Sequence, residues 1–376
     1  MTGIRVLALE PYYGGSHQAF LDNWQRGSRH DWTILTLPAR KWKWRMRHAA
    51  VTFAEQLSNQ SSRRNWDVLL CSDMLNLAEF RGLAPSSVLD MPAVAYFHEN
   101  QLTYPVRYED KRDFQFAITN MTTALAANEV WFNSAFHRDS FLGALEDMLA
   151  KMPDHRPSAA VARIREKSSI WPQGIDEFPP RGERRQGPLR ILWAARWEHD
   201  KAPEDFFEAV ANLADRGLDF RLSVIGQQFR EMPSVFKEAK EHFADRIDHW
   251  GYLPSRNDYM SVLSDADVIV STARHEFFGV GVAEAIAAGA LPLLPTRLAY
   301  PELLQLSACP QARTFFYESP SENLADRLSS LAELADRNTS IWPCNPNLAR
   351  QIVSRFAWPT LTDQLDDALQ QAANRR

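Results

Sequence analysis

Glu276 and Glu284 bracket the run Glu276-Phe277-Phe278-Gly279-Val280-Gly281-Val282-Ala283-Glu284, which follows a short apolar segment at 267–271. The pattern predicts a strand, a glycine turn and a helix opening near Val280. The free backbone N–H groups and positive dipole end of such a helix suit a diphosphate. Gly279 and Gly281 let a ligand approach the backbone closely, so the backbone of Phe278, Gly279 and Val280 is a candidate phosphate cradle. Glu284, about one turn into the helix, can accept hydrogen bonds from a ribose diol, and Glu276 can reach the hydroxyls of a sugar. A plain strand–turn–helix corner with two surface glutamates fits the spacing as well. A hydrolase carboxylate pair does not, because eight helical residues span about 12 Å and such pairs stand about 5–9.5 Å apart.

A second constellation, Arg196-Trp197-Glu198-His199-Asp200-Lys201, follows the apolar segment 189–194. Two cations at the carboxyl end of a strand can both face a pyrophosphate, Arg196 bidentately and Lys201 as a point charge. They would neutralise a departing nucleoside diphosphate, a task that a metal performs in other transferases. A solvated charged loop is the plain alternative. Nearer the amino terminus, Gly14-Gly15-Ser16-His17 lies between an apolar run and a helical pattern. Glycines there allow a tight turn close to a phosphate or an acceptor, although turns use such pairs everywhere. His98-Glu99-Asn100-Gln101 ends the apolar run 93–97 and places four polar side chains on a loop. A structural histidine at a strand end is the alternative for His98. Asn133-Ser134 and Asp73 hold comparable positions after other apolar runs.

The most unusual stretch is Arg40-Lys41-Trp42-Lys43-Trp44-Arg45-Met46-Arg47-His48, with five Lys or Arg in eight positions and no acidic residue from 32 to 54. Its cations can neutralise phosphates, and its indoles can stack on unpaired bases at about 1–3 kcal/mol each, as single-stranded RNA loops are read. The start of an amphipathic helix with snorkelling stems and an anionic membrane surface fit the same composition.

The elements that must position these residues alternate along the chain. Apolar runs at 4–9, 32–37, 67–71, 93–97 and 129–133 predict buried strands, with amphipathic segments such as 50–57 and 114–127 between them. Prolines, glycines and charges crowd 171–188 and predict a connector. The rhythm then restarts, with strands expected at 189–194, 220–225, 247–250, 267–271 and 291–294, and helices at 203–215, 235–243, 259–264 and 280–288. This is the βαβ pattern of parallel sheets covered by helices. It predicts an α/β chain of two Rossmann-like doubly wound domains, 1–174 and 175–356, facing a cleft, with a helix at 357–376 packing back on the first. The 376 residues are ample for two cores. A net charge of −5 excludes a global field for nucleic acid, so any polyanion contact must be local. Three scattered cysteines form no disulfide framework and suit a reducing, cytoplasmic setting. No run approaches the ~20 apolar residues of a membrane span, and no stable membrane association is expected.

Taken together, Arg-x4-Lys at 196–201, Glu-x7-Glu at 276–284 and Trp171-Pro-Gln-Gly-Ile-Asp176 resemble the retaining glycosyltransferases of the GT-B fold, family 4. The resemblance implies a nucleotide-sugar donor held mainly by the second domain: Arg196 and Lys201 on its phosphates, Glu284 on the ribose, Glu276 and His98 at the sugar, and Gly15 nearby. It implies retention of configuration and no obligatory metal or other cofactor. Leu9-Glu-Pro-Tyr-Tyr-Gly-Gly-Ser-His17, Pro38-Ala-Arg-Lys-Trp-Lys-Trp-Arg45, Tyr96-Phe-His-Glu-Asn-Gln-Leu-Thr-Tyr-Pro105 and Trp131-Phe-Asn-Ser-Ala-Phe-His137 further resemble the tRNA-queuosine alpha-mannosyltransferase family. That family moves mannose from GDP-mannose to the cyclopentene diol of queuosine at the wobble position of a tRNA anticodon. The acceptor side would then be formed by His17, Glu99, Asn100 and Gln101, and the RNA contact by Arg40, Lys41, Trp42, Lys43, Trp44, Arg45 and Arg47. A lipid-linked or glycan acceptor with another nucleotide sugar, and a non-catalytic nucleotide- or RNA-binding protein, are the alternatives.

Overall fold

The structure, a computed structural model, describes residues 3–59, 65–105, 113–229, 231–318 and 321–375. The chain divides into two compact units, one made of Met1–Gly174 with Trp358–Arg376, the other of Ile175–Ala357.

In the first unit six strands, β1 (Arg5–Tyr13), β2 (Asp31–Pro38), β3 (Val68–Ser72), β4 (Ala93–Phe97), β5 (Glu129–Phe132) and β6 (Ser168–Ile170), form a sheet of order β2-β1-β3-β4-β5-β6. Every pairing is parallel. Alternate side chains leave opposite faces of a strand, and both faces here are buried. Leu7, Leu69, Ala95 and Phe97 pack with the helices Trp42–Ser58, Leu77–Leu83 and Ala135–Ala150. Val6, Ala8, Leu70, Val94 and Tyr96 pack with the helix Gly15–Gly27 and the C-terminal helix Trp358–Asn374. This is why the strands read as continuous apolar runs rather than alternating ones.

The second unit repeats the plan. Strands β7 (Leu189–Ala194), β8 (Phe220–Ile225), β9 (Ile247–Gly251), β10 (Val268–Val270), β11 (Leu291–Pro295) and β12 (Phe316–Tyr317) form a parallel sheet of order β12-β11-β10-β7-β8-β9. The expected α/β class with two doubly wound sheets is what the chain adopts. The connector differs from a loose tether. Asp267, fully buried at the foot of β10, accepts from Arg181 Nη2 at 2.9 Å and Arg184 Nε at 3.2 Å. A buried carboxylate requires such partners, and they bind this part of the connector to the second unit. No helix among the described residues is long and apolar enough to cross a membrane.

The C-terminal helix is fastened as well as packed. Asp366, 1% exposed, accepts from Trp24 Nε1, Ser28 Oγ and the Arg29 backbone N–H, each at 2.8 Å. Asp366→Ala strips the acceptor from all three donors and is expected to destabilise the first unit by about 3 kcal/mol. The measurement is the urea midpoint of that unit's transition; an unchanged midpoint would mean that apolar packing alone holds the helix.

Candidate active site

In the second sheet the chain winds from β7 to β9 on one side, then returns to place β10 on the other side of β7. The crossovers diverge there and leave the carboxyl edge open, the place where doubly wound sheets bind ligands. The loops that leave β7 and β10 are laced together. Thr272 Oγ1 donates to the Lys201 carbonyl at 2.8 Å, and the Arg274 N–H donates to the Asp200 carbonyl at 2.8 Å. Lys201, 5% exposed, donates to the His275 carbonyl at 2.6 Å and pairs with Asp200 at 3.2 Å and Glu276 at 3.3 Å. Burial acts to raise the Glu276 carboxyl, but Lys201, with His275 and Arg196, holds it below the usual carboxylate range. Burial, then Lys201, pushes His275 down to about 4, so its ring is neutral. Arg196 is partly exposed, its Nε 3.2 Å from Glu198. The two predicted motifs thus meet: a buried cation already faces the carboxylate 75 residues away.

The helix beyond this loop runs Val280–Ala287, and Gly279 caps it at φ +90. That backbone region favours glycine. The first turn has no side-chain cap and no acidic residue, a setting that suits an anion at its N–H groups. Phe278 is 4% exposed and its ring packs edge-on against Phe356, so only its backbone stands at the helix opening. Glu284 is buried, and both its oxygens are engaged: Tyr259 Oη donates to Oε2 at 2.8 Å, and Arg256 donates to Oε1. Arg256 also holds Asp176, the last residue of the predicted Trp171–Asp176 turn, at 2.6 and 3.0 Å. Arg256 and Tyr259 escaped sequence reasoning; they lie on the helix Arg256–Asp265 in no recognisable motif.

The first unit has the same reversal beside β1 and β3. Glu10, 1% exposed near the end of β1, accepts from Ser72 Oγ at 3.0 Å and the Tyr12 N–H at 2.7 Å, and pairs with His17 Nδ1 at 3.2 Å. Burial alone would depress His17, but Glu10, helped by Asp73 and Glu99, raises it to about 9 and makes it an imidazolium. Gly15, at φ +56, turns the chain into the helix that carries it. The His17 ring stacks on His98 at 4.0 Å between centroids. Burial, then His17 and His137, hold His98 well below the usual histidine value, so His98 is neutral. Gln173 Nε2 lies 2.8 Å from His98 Nδ1. An amide nitrogen only donates, so Nδ1 accepts and the proton sits on Nε2. Asp73 Oδ1 accepts from the His98 N–H at 2.9 Å and shapes the turn after β4. In that turn Asn100 is structural, its Oδ1 taking the N–H groups of Leu102 and Thr103, while Glu99 Oε1 accepts from Gln101 Nε2 at 3.1 Å. Glu10, His17 and His98 offer three metal-ligand atoms within 4.8 Å of one another. Stacked rings direct their in-plane lone pairs side by side rather than toward one ion, and Gln173 occupies Nδ1 of His98. Glu10 and Gln173 were missed as site residues, although both lie inside phrases quoted from the sequence.

The basic stretch divides in two. The helix Trp42–Ser58 buries Met46, Ala49, Ala50, Phe53, Ala54 and Leu57, and this face takes Arg45 with it. Arg45 Nε donates to the Pro38 carbonyl at 2.9 Å and Nη1 meets His48 at 2.8 Å, so Arg45 is a structural residue rather than a surface cation. Trp42 is half-buried against Phe116, centroids 5.0 Å apart. Arg40, Lys41 and Lys43 are exposed, as is Arg47, which pairs with Asp113 at 3.0 Å. Trp44 is 60% exposed, one face resting on His48 at 4.9 Å.

Comparison with known proteins bears on this geometry. Residues 5–175 match the family described as tRNA-queuosine alpha-mannosyltransferase N-terminal, and residues 174–341 match Glycosyl transferases group 1. The chain is 36% identical over 313 residues to the tRNA-queuosine alpha-mannosyltransferase of Drosophila melanogaster, covering 79% of this chain and 81% of that protein. It is 24% identical over 203 residues, 52% of each chain, to the GDP-mannose:cellobiosyl-diphosphopolyprenol alpha-mannosyltransferase of Xanthomonas oryzae. Among solved structures it resembles a sucrose-phosphate synthase from Thermosynechococcus elongatus, with a TM-score of 0.71, 13% identity and 98% of each chain covered. A glycosyltransferase from Rickettsia africae gives a TM-score of 0.65 at 15% identity, with both chains fully covered. These structures share the fold, GT-B, and the sequence relationship goes further: the chain belongs to the tRNA-queuosine alpha-mannosyltransferase family.

Proposed function

We propose that this protein is a cytoplasmic enzyme that transfers mannose from GDP-mannose, with retention of configuration, to a hydroxyl of the queuosine cyclopentene diol in a tRNA anticodon. The observation that carries the reading is the 36% identity to a tRNA-queuosine alpha-mannosyltransferase across four fifths of both chains. The second unit supports the donor side. The opening of the helix Val280–Ala287, Lys201 and Arg196 supply N–H groups and positive charge for a diphosphate, so the leaving group needs no obligatory metal. When phosphate binds, Lys201 exchanges part of its pairing with Glu276 for the ligand, and Glu276 turns to the sugar. Glu284 takes the ribose.

On the acceptor side, neutral His98 offers an Nε2–H donor to a hydroxyl, with Glu99 and Gln101 beside it. The exposed half of the basic stretch serves the RNA. Arg40, Lys41, Lys43 and Arg47 meet phosphates, and Trp44 offers an indole face to an unstacked base.

The defining test is transfer from radiolabelled GDP-mannose to total tRNA from cells that make queuosine and from cells that do not. Label is expected only in the first; label in neither, with GDP binding intact, would move the acceptor to a lipid or glycan.

The RNA surface is checked separately. Trp44→Ala, and Arg40 with Lys43 reversed to Glu, are each expected to raise the KM for tRNA about tenfold or more and leave the KM for GDP-mannose unchanged. An unchanged tRNA KM in both would remove the stretch from the interface. Gln173→Glu replaces the donor to His98 Nδ1 by an acceptor, which stabilises the imidazolium and raises the His98 pKa. Transfer should then be lost as the pH falls through the lower neutral range, where the parent stays active. Nitrogen-15 shifts of His98 would report the change of protonation directly, and a parent-like profile would mean that Gln173 does not set it.

A further inference from the structure

Glu284 is the more deeply buried of the two carboxylates assigned to the nucleotide sugar, its side chain 8% exposed against 26% for Glu276. It stands on an apolar helix whose neighbours, β10 and β11, bring no titratable side chain. The groups that face it come from elsewhere. Arg256 and Tyr259 reach it from the helix Arg256–Asp265, on which Asp258 and Asp265 are exposed. Asp176 reaches Arg256 from the segment that opens the unit. The helix Leu348–Val353, packed on the same helix, brings Arg350, whose guanidinium donates to the Phe178 carbonyl.

Arg256 is misplaced for its own helix. It opens the first turn, where the dipole favours anions, and the Ser255 cap and Asp258 already satisfy that end. Its guanidinium instead spans two carboxylates, Asp176 and Glu284, and lies 4.9 Å over the ring of Tyr259, three residues on. Each carboxylate oxygen has two acceptor positions. Arg256 takes one on Oε1 and Tyr259 one on Oε2, which leaves one on each oxygen for two vicinal hydroxyls.

We infer that Arg256, braced by Asp176 and Tyr259, is a positioning residue that fixes the Glu284 carboxylate for the ribose diol of the nucleotide sugar. The inference rests on the donor reading above. Burial raises the Glu284 carboxyl above the usual range, and Arg256 is the chief group opposing that rise. Without the guanidinium, Glu284 takes up a proton at higher pH. Ribose binding needs the ionised form, so affinity persists above the Glu284 pKa and is lost as pH falls through it.

The experiment measures GDP affinity by titration calorimetry across mildly acidic to mildly basic pH for the parent, Arg256→Met and Arg256→Lys. The parent is expected to bind with little pH dependence. Arg256→Met should bind about tenfold or more weakly at neutral pH and weaken further on acidification, and Arg256→Lys should recover part of the loss. In turnover, the KM for GDP-mannose should rise in Arg256→Met while kcat at saturating donor changes little. Adding Glu284→Gln to Arg256→Met should flatten the pH profile, which assigns the titration to Glu284. Should Arg256→Met fail to fold, Tyr259→Phe gives the same shift in smaller measure. GDP affinity and pH profile equal to the parent's in Arg256→Met would overturn the inference. A parent that does not bind GDP at all would overturn the donor reading itself, and that arm is read first.

Discussion

A parallel strand cannot turn directly into its neighbour, so each sheet of this protein grows outward from its first strand through helical crossovers. In both units the growth reverses once, beside β1 and beside β7. At that reversal no crossover covers the carboxyl edge. The buried charge clusters of both units sit there. Loops from neighbouring strands emerge within reach of one another, and groups far apart in sequence can share a proton or a charge. Lys201 with Glu276 in one unit, and Glu10 with Ser72 and His17 in the other, are products of that single topological constraint.

The two reversals are furnished in opposite electrostatic senses. The second unit sets an uncapped helix opening beside its open edge and pairs its carboxylates Glu276 and Glu284 with Lys201 and Arg256. The first unit buries Glu10 and uses it to hold a protonated His17 against a neutral His98. Charged groups are costly to bury unless paired. The pairs settle protonation states before any substrate arrives, which is the preorganisation that stabilises developing charge.

The sequence made the fold legible because strands buried on both faces announce themselves as apolar runs; 93–97 and 189–194 were read to the residue. Lys201, Glu276, Glu284 and His98 were visible as polar residues at strand ends or at a glycine turn. Other residues were hidden for definite reasons. Arg256 and Tyr259 serve a carboxylate more than twenty residues away and look like surface helix. Glu10 lies inside a strand, where a lone carboxylate gives no periodic signal. Arg45 was misplaced by composition. The apolar stripe from Leu57 back through Phe53, Ala49 and Met46 already phases Arg45 onto the buried face, so helical periodicity contained the correction.

The segment Gln173–Asp176 has a consequence for how the protein can vary. It joins the units, yet Gln173 holds His98 within the first unit, and Asp176 holds Arg256 within the second, which begins at Ile175. Gly174 between them has no room for a side chain, since a Cβ would meet the Trp358 indole at 2.4 Å. A junction is ordinarily the part of a two-unit chain most tolerant of insertion and drift. Here a lengthening by one residue would shift one of the two partners out of register. A lesion at this junction would therefore mimic an active-site mutation while leaving both cores whole.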